Sequence, residues 1–206
     1  MSWNAVITGD LVRSSKIAPD RYNLILTQLE QILANLSHEP TDFAIYRGDG
    51  FQLFLPNATQ ALQAALCIRL NLIAVGIDCR LSIGIGTIDA KRPQITMSTG
   101  EAFTLSGRGL EPLKDVHWAL HLPQPMANEW PLLLRFSDVL LQQMTARQAQ
   151  VLYGYLAADN PSHQQLADLM QSSRANITQI LNQAHYTLFQ DLLDQFQSFI
   201  SEQGQL

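Results

Sequence analysis

The feature that most restricts this chain is a change of pattern near residue 124. Up to that point, short apolar runs that alternate residue by residue are interleaved with stretches whose apolar residues recur every three or four positions. From Thr145 onward the pattern is almost entirely helical, rich in glutamine and without lysine. Alternation marks a strand with one buried face, and three- and four-residue spacing marks an amphipathic helix. The chain therefore reads as an α+β part over 1–124, a linker and connecting helix over 125–144, and an all-helical part over 145–206. Its 206 residues suit one large or two small domains, at roughly 100–200 residues each.

Within the first part, "WNAVITG" reads as a short buried strand ending at Gly9-Asp10, and "VRSSKIAPD" as a loop. Pro19 suits the first position of a helix, where its missing N–H leaves no bond unmade. Tyr22, Ile25, Leu29, Ile32 and Leu36 then form one apolar stripe. "FAIYR" and "FQLFL" alternate around Gly48-Asp49-Gly50, a hairpin signal. Asn57 or Thr59 caps a helix through Leu62, Leu66, Arg69 and Ile73. "RLSIGIGTI" is a strand whose Gly84 and Gly86 leave room for a ligand or a helix. Ser98 and Glu101 make a capping box before "AFTLSGRGLEPL", and "HWALHLP" closes the series. This order predicts a sandwich with a mainly antiparallel sheet and helices on one face.

"PQPMANEWP" holds three prolines and reads as the linker, with a helix over about 131–144 after it. "TARQAQVLYGYLAAD", "SHQQLADLMQ" and "SRANITQILNQAHYTLF" read as three helices, with Ser162 and Ser173 as N-caps. The short "QSS" connection fits a helix-turn-helix, winged or plain. "LFQDLLDQFQSFISEQ" reads as a buried or dimer-forming helix.

Composition narrows the class. With 47% hydrophobic residues, 15% charged and a formal charge of −5, the chain has the make-up of a globular protein. No apolar run approaches the ~20 residues that span a bilayer. The opening residues lack a basic then apolar order, so a cytoplasmic location is expected. Cys67 and Cys79 lie in apolar stretches without metal-ligand spacing and read as reduced core residues.

Two aspartates hold comparable places: Asp10 ends the first strand and Asp49 sits at the hairpin turn. If the first strand and the hairpin are neighbours, both carboxylates meet at one edge. A divalent cation between them, Mg²⁺ or Mn²⁺, would relieve their repulsion. Arg13, Ser14 and Ser15 in the following loop, with Arg47, suit phosphate oxygens.

The segments "VITGDLVRS", "YRGDGFQLF", "RLSIGIGTI" and "TGEAFTLSGRGLE" fall in an order that resembles class III nucleotide cyclases and the related GGDEF diguanylate cyclases. With the C-terminal helix-turn-helix, the whole resembles the SatD-like family of small bacterial proteins. The resemblance implies a ferredoxin-like, nucleotide-cyclase-like sandwich, a nucleotide ligand, a metal pair at Asp10 and Asp49, and a homodimer. It also implies a catalytic, charge-neutralising Arg108. Thr104 stands where cyclases carry an Asn, Ile45 and about Met97 stand where adenylate cyclases select their base, and Gly50 replaces the GGDEF Glu.

Two functions follow as expectations. One is a regulator that couples nucleotide and metal binding to a helix-turn-helix. The other is a two-metal enzyme that releases pyrophosphate from a nucleoside triphosphate. A scaffold without a ligand is the third reading. For DNA contact over 162–185, Arg174, Asn176 and Gln179 offer base-edge hydrogen bonds. The segment 145–206 holds two arginines, no lysine and five acids, a net of −3 that is poor for phosphate attraction.

Overall fold

The structure, a computed structural model, describes residues 3–124, 126, 129–158 and 160–203. Pro125, Ala127 and Asn128 of the expected linker lie outside the described residues, as does Asp159.

The chain is α+β. It runs β1 (Asn4–Leu11), α1 (Pro19–Leu36), β2 (Phe43–Tyr46), β3 (Gly50–Leu55), α2 (Ala61–Ala74), β4 (Cys79–Gly86), β5 (Ile88–Ala90) and β6 (Thr99–Gly100). It continues through α3 (Glu101–Leu110), β7 (Trp118–His121), α4 (Glu129–Gln142), α5 (Ala146–Ala157), α6 (His163–Leu169), α7 (Arg174–Gln183) and α8 (Tyr186–Gln203). Five strands form one sheet in the order β2-β3-β1-β4-β7, antiparallel except between β4 and β7, while β5 and β6 form a separate pair.

The register sorts the sheet's side chains. Ala5, Ile7, Leu53, Leu55, Leu81, Ile83 and Ile85 share one face and join Ile25, Leu29 and Ile32 of α1 and the apolar residues of α2 in one core. Val6 and Phe54 point the other way and pack with Ile95, Ala102 and Phe103. Helices therefore cover both faces of the sheet, not one as the sequence predicts. The cause is Gly84: a Cβ there would run into the Ala102 carbonyl and the Ser106 amide, so its absence lets α3 lie directly on β4. The room left by this glycine is taken by a helix. Thr8 and Ser106 meet beneath α3 with their hydroxyls 2.8 Å apart.

Local signals hold in most places. Pro19 opens α1. Asn57 Oδ1 accepts from the Thr59 amide at 3.1 Å, capping a 3-10 turn ahead of α2. The hairpin turn takes positive φ at Arg47 and Gly48, whereas Gly50 belongs to β3. The Ser98–Glu101 box does not form. Gly100 precedes α3 without a side-chain cap, and Ser98 Oγ accepts from the Arg92 amide instead, at 2.9 Å. Ser162 and Ser173 cap α6 and α7 as expected. The expected third helix splits at His185, whose φ is +54°, and α8 starts anew beyond it. Among the described residues past α4 there is no strand, hence no wing; helical spacing continues through Leu192, Phe196 and Ile200, all buried.

The apolar core does not stop at the boundary near 124. α2 is buried almost all round: the sheet lies on one side of it and α5 on the other. Trp130 of α4 meets Phe196 and Phe199 of α8, and α8 returns to the 3-10 turn before α2. No helix of the described residues is long and apolar enough to cross a membrane.

Candidate functional site

β1 pairs with β3 and places Asp10 opposite Gly50, so Asp10 and Asp49 do come to one end of the sheet. The Leu11 amide donates to the Asp49 carbonyl at 3.1 Å and fixes the hairpin turn against the strand end. Arg13 then turns into the left-handed region, φ +57°, and starts a 3-10 turn over Ser14–Lys16. That turn aims Ser14 at the hairpin, where its Oγ donates to Asp49 Oδ2 at 2.6 Å. Ser14, Ser15, Arg47 and Asp49, with Tyr22, line a hollow of about 350 Å³. Tyr22 closes it by donating to the Gly48 carbonyl.

The carboxylates differ in what they already hold. Asp49 keeps one oxygen without a hydrogen bond among the described residues, which suits a cation. Asp10 does not fit one as arranged. β4 places Arg80 opposite it, and the guanidinium binds both oxygens, Nε to Oδ1 at 2.9 Å and Nη2 to Oδ2 at 2.6 Å. Arg80 Nη1 also donates to the Leu113 carbonyl at 2.7 Å. These bonds to Asp10 hold the Arg80 guanidinium above its ordinary pKa. Of the expected metal pair, Asp10 is therefore engaged by Arg80, and Asp49 holds Ser14 with one oxygen left over. Among the described residues, no group of three or more His, Cys, Asp or Glu side chains is placed to hold a metal.

Arg108 stands in the last turn of α3. Gly109 of that turn lies against Ser82 and His121, and the chain passes from there to Leu113 beside Arg80. It is exposed and joins no ion pair among the described residues. It shares the Asp10 end of the sheet without touching the hollow.

The sequence reading assigned no role to two arginines, Arg80 and Arg69. Arg80 opens a strand otherwise read for its glycines, and the antiparallel register beside Asp10 is the signal that exposes it. Arg69 is fully buried in α2. It donates to both oxygens of Asp78 at 3.0 and 2.6 Å and to Asp138 of α4 at 2.7 Å, and its guanidinium lies 5.3 Å from the Trp118 ring. His117 Nδ1 lies 2.9 Å from Asp78, and its amide donates to Asp138 at 3.0 Å. Burial pushes the Asp78 carboxyl up, but the His117 and Arg69 hydrogen bonds and the Arg69 charge outweigh it and hold it at about 2. The legible signal was a single arginine inside "ALCIRLNLIA", because a cation in an apolar helix needs buried partners.

Both cysteines are free and buried, and burial alone pushes the Cys67 thiol up to about 12, which makes it inert as a nucleophile.

In the C-terminal helices, α6 and α7 are joined by residues 170–173, and His163 Nδ1 lies 2.8 Å from Thr178 Oγ1 between them. Arg174 and Gln179 share an exposed face of α7 with Ala175, Thr178 and Asn182. Asn176 is exposed, and its side-chain Nδ2 donates to Ser172 Oγ at 2.9 Å. All three base-reading candidates, Arg174, Asn176 and Gln179, are exposed on α7.

No protein-family model matches this chain, and the comparison with curated proteins finds no match.

Proposed function

We propose that the protein is a ligand-responsive regulator. Its α+β part, read as nucleotide-cyclase-like, takes a nucleotide or nucleotide-derived ligand at the sheet end. Its α6–α7 pair, read as a helix-turn-helix, contacts DNA or a protein partner. The observation that supports this most is convergence. Ser14, Arg47 and Asp49 come from two segments more than thirty residues apart and meet in one hollow at the sheet end, beside Asp10. Ser14, Ser15 and Arg47 would face phosphate oxygens, whereas Arg13, expected beside them, lines the cleft on the other side of the loop. Asp49 is the carboxylate left to hold Mg²⁺ or Mn²⁺ as the counter-ion of those phosphates. Asp10 would join only once released by Arg80.

The test is a thermal-shift series with each nucleoside triphosphate and with cyclic and dinucleotide products, with and without Mg²⁺ or Mn²⁺. One nucleotide should raise the melting temperature by several degrees, and Asp49→Ala should abolish the metal-dependent part. A flat response to every nucleotide sinks the reading. On the DNA side, a gel shift on the region upstream of its own coding sequence should weaken with salt and with Arg174→Ala.

The enzymatic alternative draws on Arg108, which is exposed and joins no ion pair among the described residues, and so can reach a second copy. It requires pyrophosphate release that disappears in Asp49→Ala and Arg108→Ala, and a dimer by light scattering.

A further inference from the structure

A second concavity, about 1090 Å³, opens on the other side of the 12–18 loop from Asp49. That volume is slightly above the roughly 300–1,000 Å³ usual for small-molecule sites. Its walls are the β1–α1 loop, the start of α1, the α2–β4 turn, the stretch before β7 and the C-terminal end of α4.

Five of the chain's thirteen lysines and arginines line it: Arg13, Lys16, Arg21, Arg80 and Lys114. In a chain of net charge −5 this is a strong local excess. Arg80 is paired with Asp10. The other four form no ion pair among the described residues. Of the two acids in the wall, Asp78 is already bound by Arg69 and His117, which leaves Asp115 alone to oppose four cations.

The cations are also positioned. Arg21 Nη2 donates to the Val75 carbonyl at 2.8 Å, at the negative end of α2. The neighbouring Gly76, at φ +79°, makes room for it, since a Cβ there would stand 2.5 Å from Arg21 Nη2. Arg13 is held in a left-handed conformation that arginine rarely adopts. Val12, Ile17, Ile25 and Ile77 supply an apolar floor.

We propose that this cleft binds a small molecule carrying two or more linked phosphates, held by side-chain cations without a divalent metal. Gathered like charges repel, and a polyanion relieves that repulsion more fully than one phosphate does. The wall has no free pair of carboxylates for a metal, so the ligand must be neutralised by the protein itself. The site stands apart from the nucleotide–metal hollow, with which it shares Ile17 and the adjoining loop. Gln142 and His117 also line it and both donate to Asp138, so an occupant touches the helix that leads into α5.

The test is titration calorimetry of the full chain with sodium tripolyphosphate in EDTA, beside orthophosphate and citrate at equal ionic strength. Tripolyphosphate should saturate one site per chain. Arg21→Gln or Lys114→Gln should each weaken it about tenfold and the pair about a hundredfold, in line with loss of charge-assisted contacts. Both positions are exposed and hold no buried partner, so folding is preserved. Asp49→Ala should bind normally, which separates this site from the hollow: failure of the nucleotide–metal reading leaves tripolyphosphate binding intact. Hydrogen exchange should slow at residues 13–21 and 76–80. Binding that requires metal, survives the double substitution, or is matched by citrate overturns the proposal. So does tighter binding of a single-stranded oligonucleotide through the same arginine and lysine.

Discussion

At the residue scale, the buried ions of α2 matter most for stability. Arg69 has no exposed surface and Asp138 almost none, so neither charge is tolerable without the other. Removing one member of such a pair strands its partner in a low-dielectric interior, which costs roughly 3–5 kcal/mol. Arg69→Met should therefore lower the urea-unfolding free energy by about that amount. Combining it with Asp78→Asn and Asp138→Asn should recover much of the loss. The network also sets an acid limit. The Asp78 carboxyl is held at about 2 against its ordinary 3.8, so it favours the folded state at every pH above 3.8. That contribution is lost as pH falls from about 4 towards 2. It amounts to about 2 kcal/mol for one such group. Denaturation followed from pH 6 to pH 2 should show the loss in the wild type and not in Asp78→Asn.

At the scale of elements, the seat of α3 makes a direct test. Gly84→Ala would push a methyl into helix backbone and should destabilise by roughly 1–3 kcal/mol, as overpacking does. Gly107, on the same helix, has nothing within 4 Å of where a Cβ would stand, so Gly107→Ala should stabilise by about 0.5–1 kcal/mol through helix propensity. Thermal melts of the two variants should move in opposite directions. The same helix marks where the sequence stops being legible. Local periodicity gave nearly every strand and helix, because Ile25-Leu29-Ile32 or Ile83-Ile85 carry their burial pattern within a few residues. The Asp10–Asp49 approach was readable because one hairpin and one strand end determine it. What faces Asp10 was not, because Arg80 reaches it only through register with a strand seventy residues away. The Ser98–Glu101 box failed for a related reason. Its spacing is correct, but Ser98 is drawn to Arg92 in the loop before it.

At the scale of the whole molecule, the pattern change at residue 124 is real in secondary structure and absent in packing. α2 contributes Leu62, Leu66, Leu70 and Leu72 to a core that also contains Val151, Leu152 and Leu156 of α5. Asp138 of α4 completes the partners of Arg69, so a buried charge is satisfied only when the connecting helix is docked. Cutting after residue 124 would expose the α5-facing side of α2 and leave Arg69 short of one carboxylate. The fragment 1–124 should therefore be aggregation-prone or only partly folded. The full chain should unfold in a single transition, with tryptophan fluorescence, dominated by Trp118 and Trp130 at the α4 junction, coinciding with far-ultraviolet circular dichroism. Two separated transitions would mean that the C-terminal helices fold as an independent unit. A ligand held by the α+β part could then no longer bias α7 through shared packing. A single transition leaves that route open, since the cleft proposed for the polyphosphate is lined by Gln142 of α4, the helix on which the C-terminal part is built.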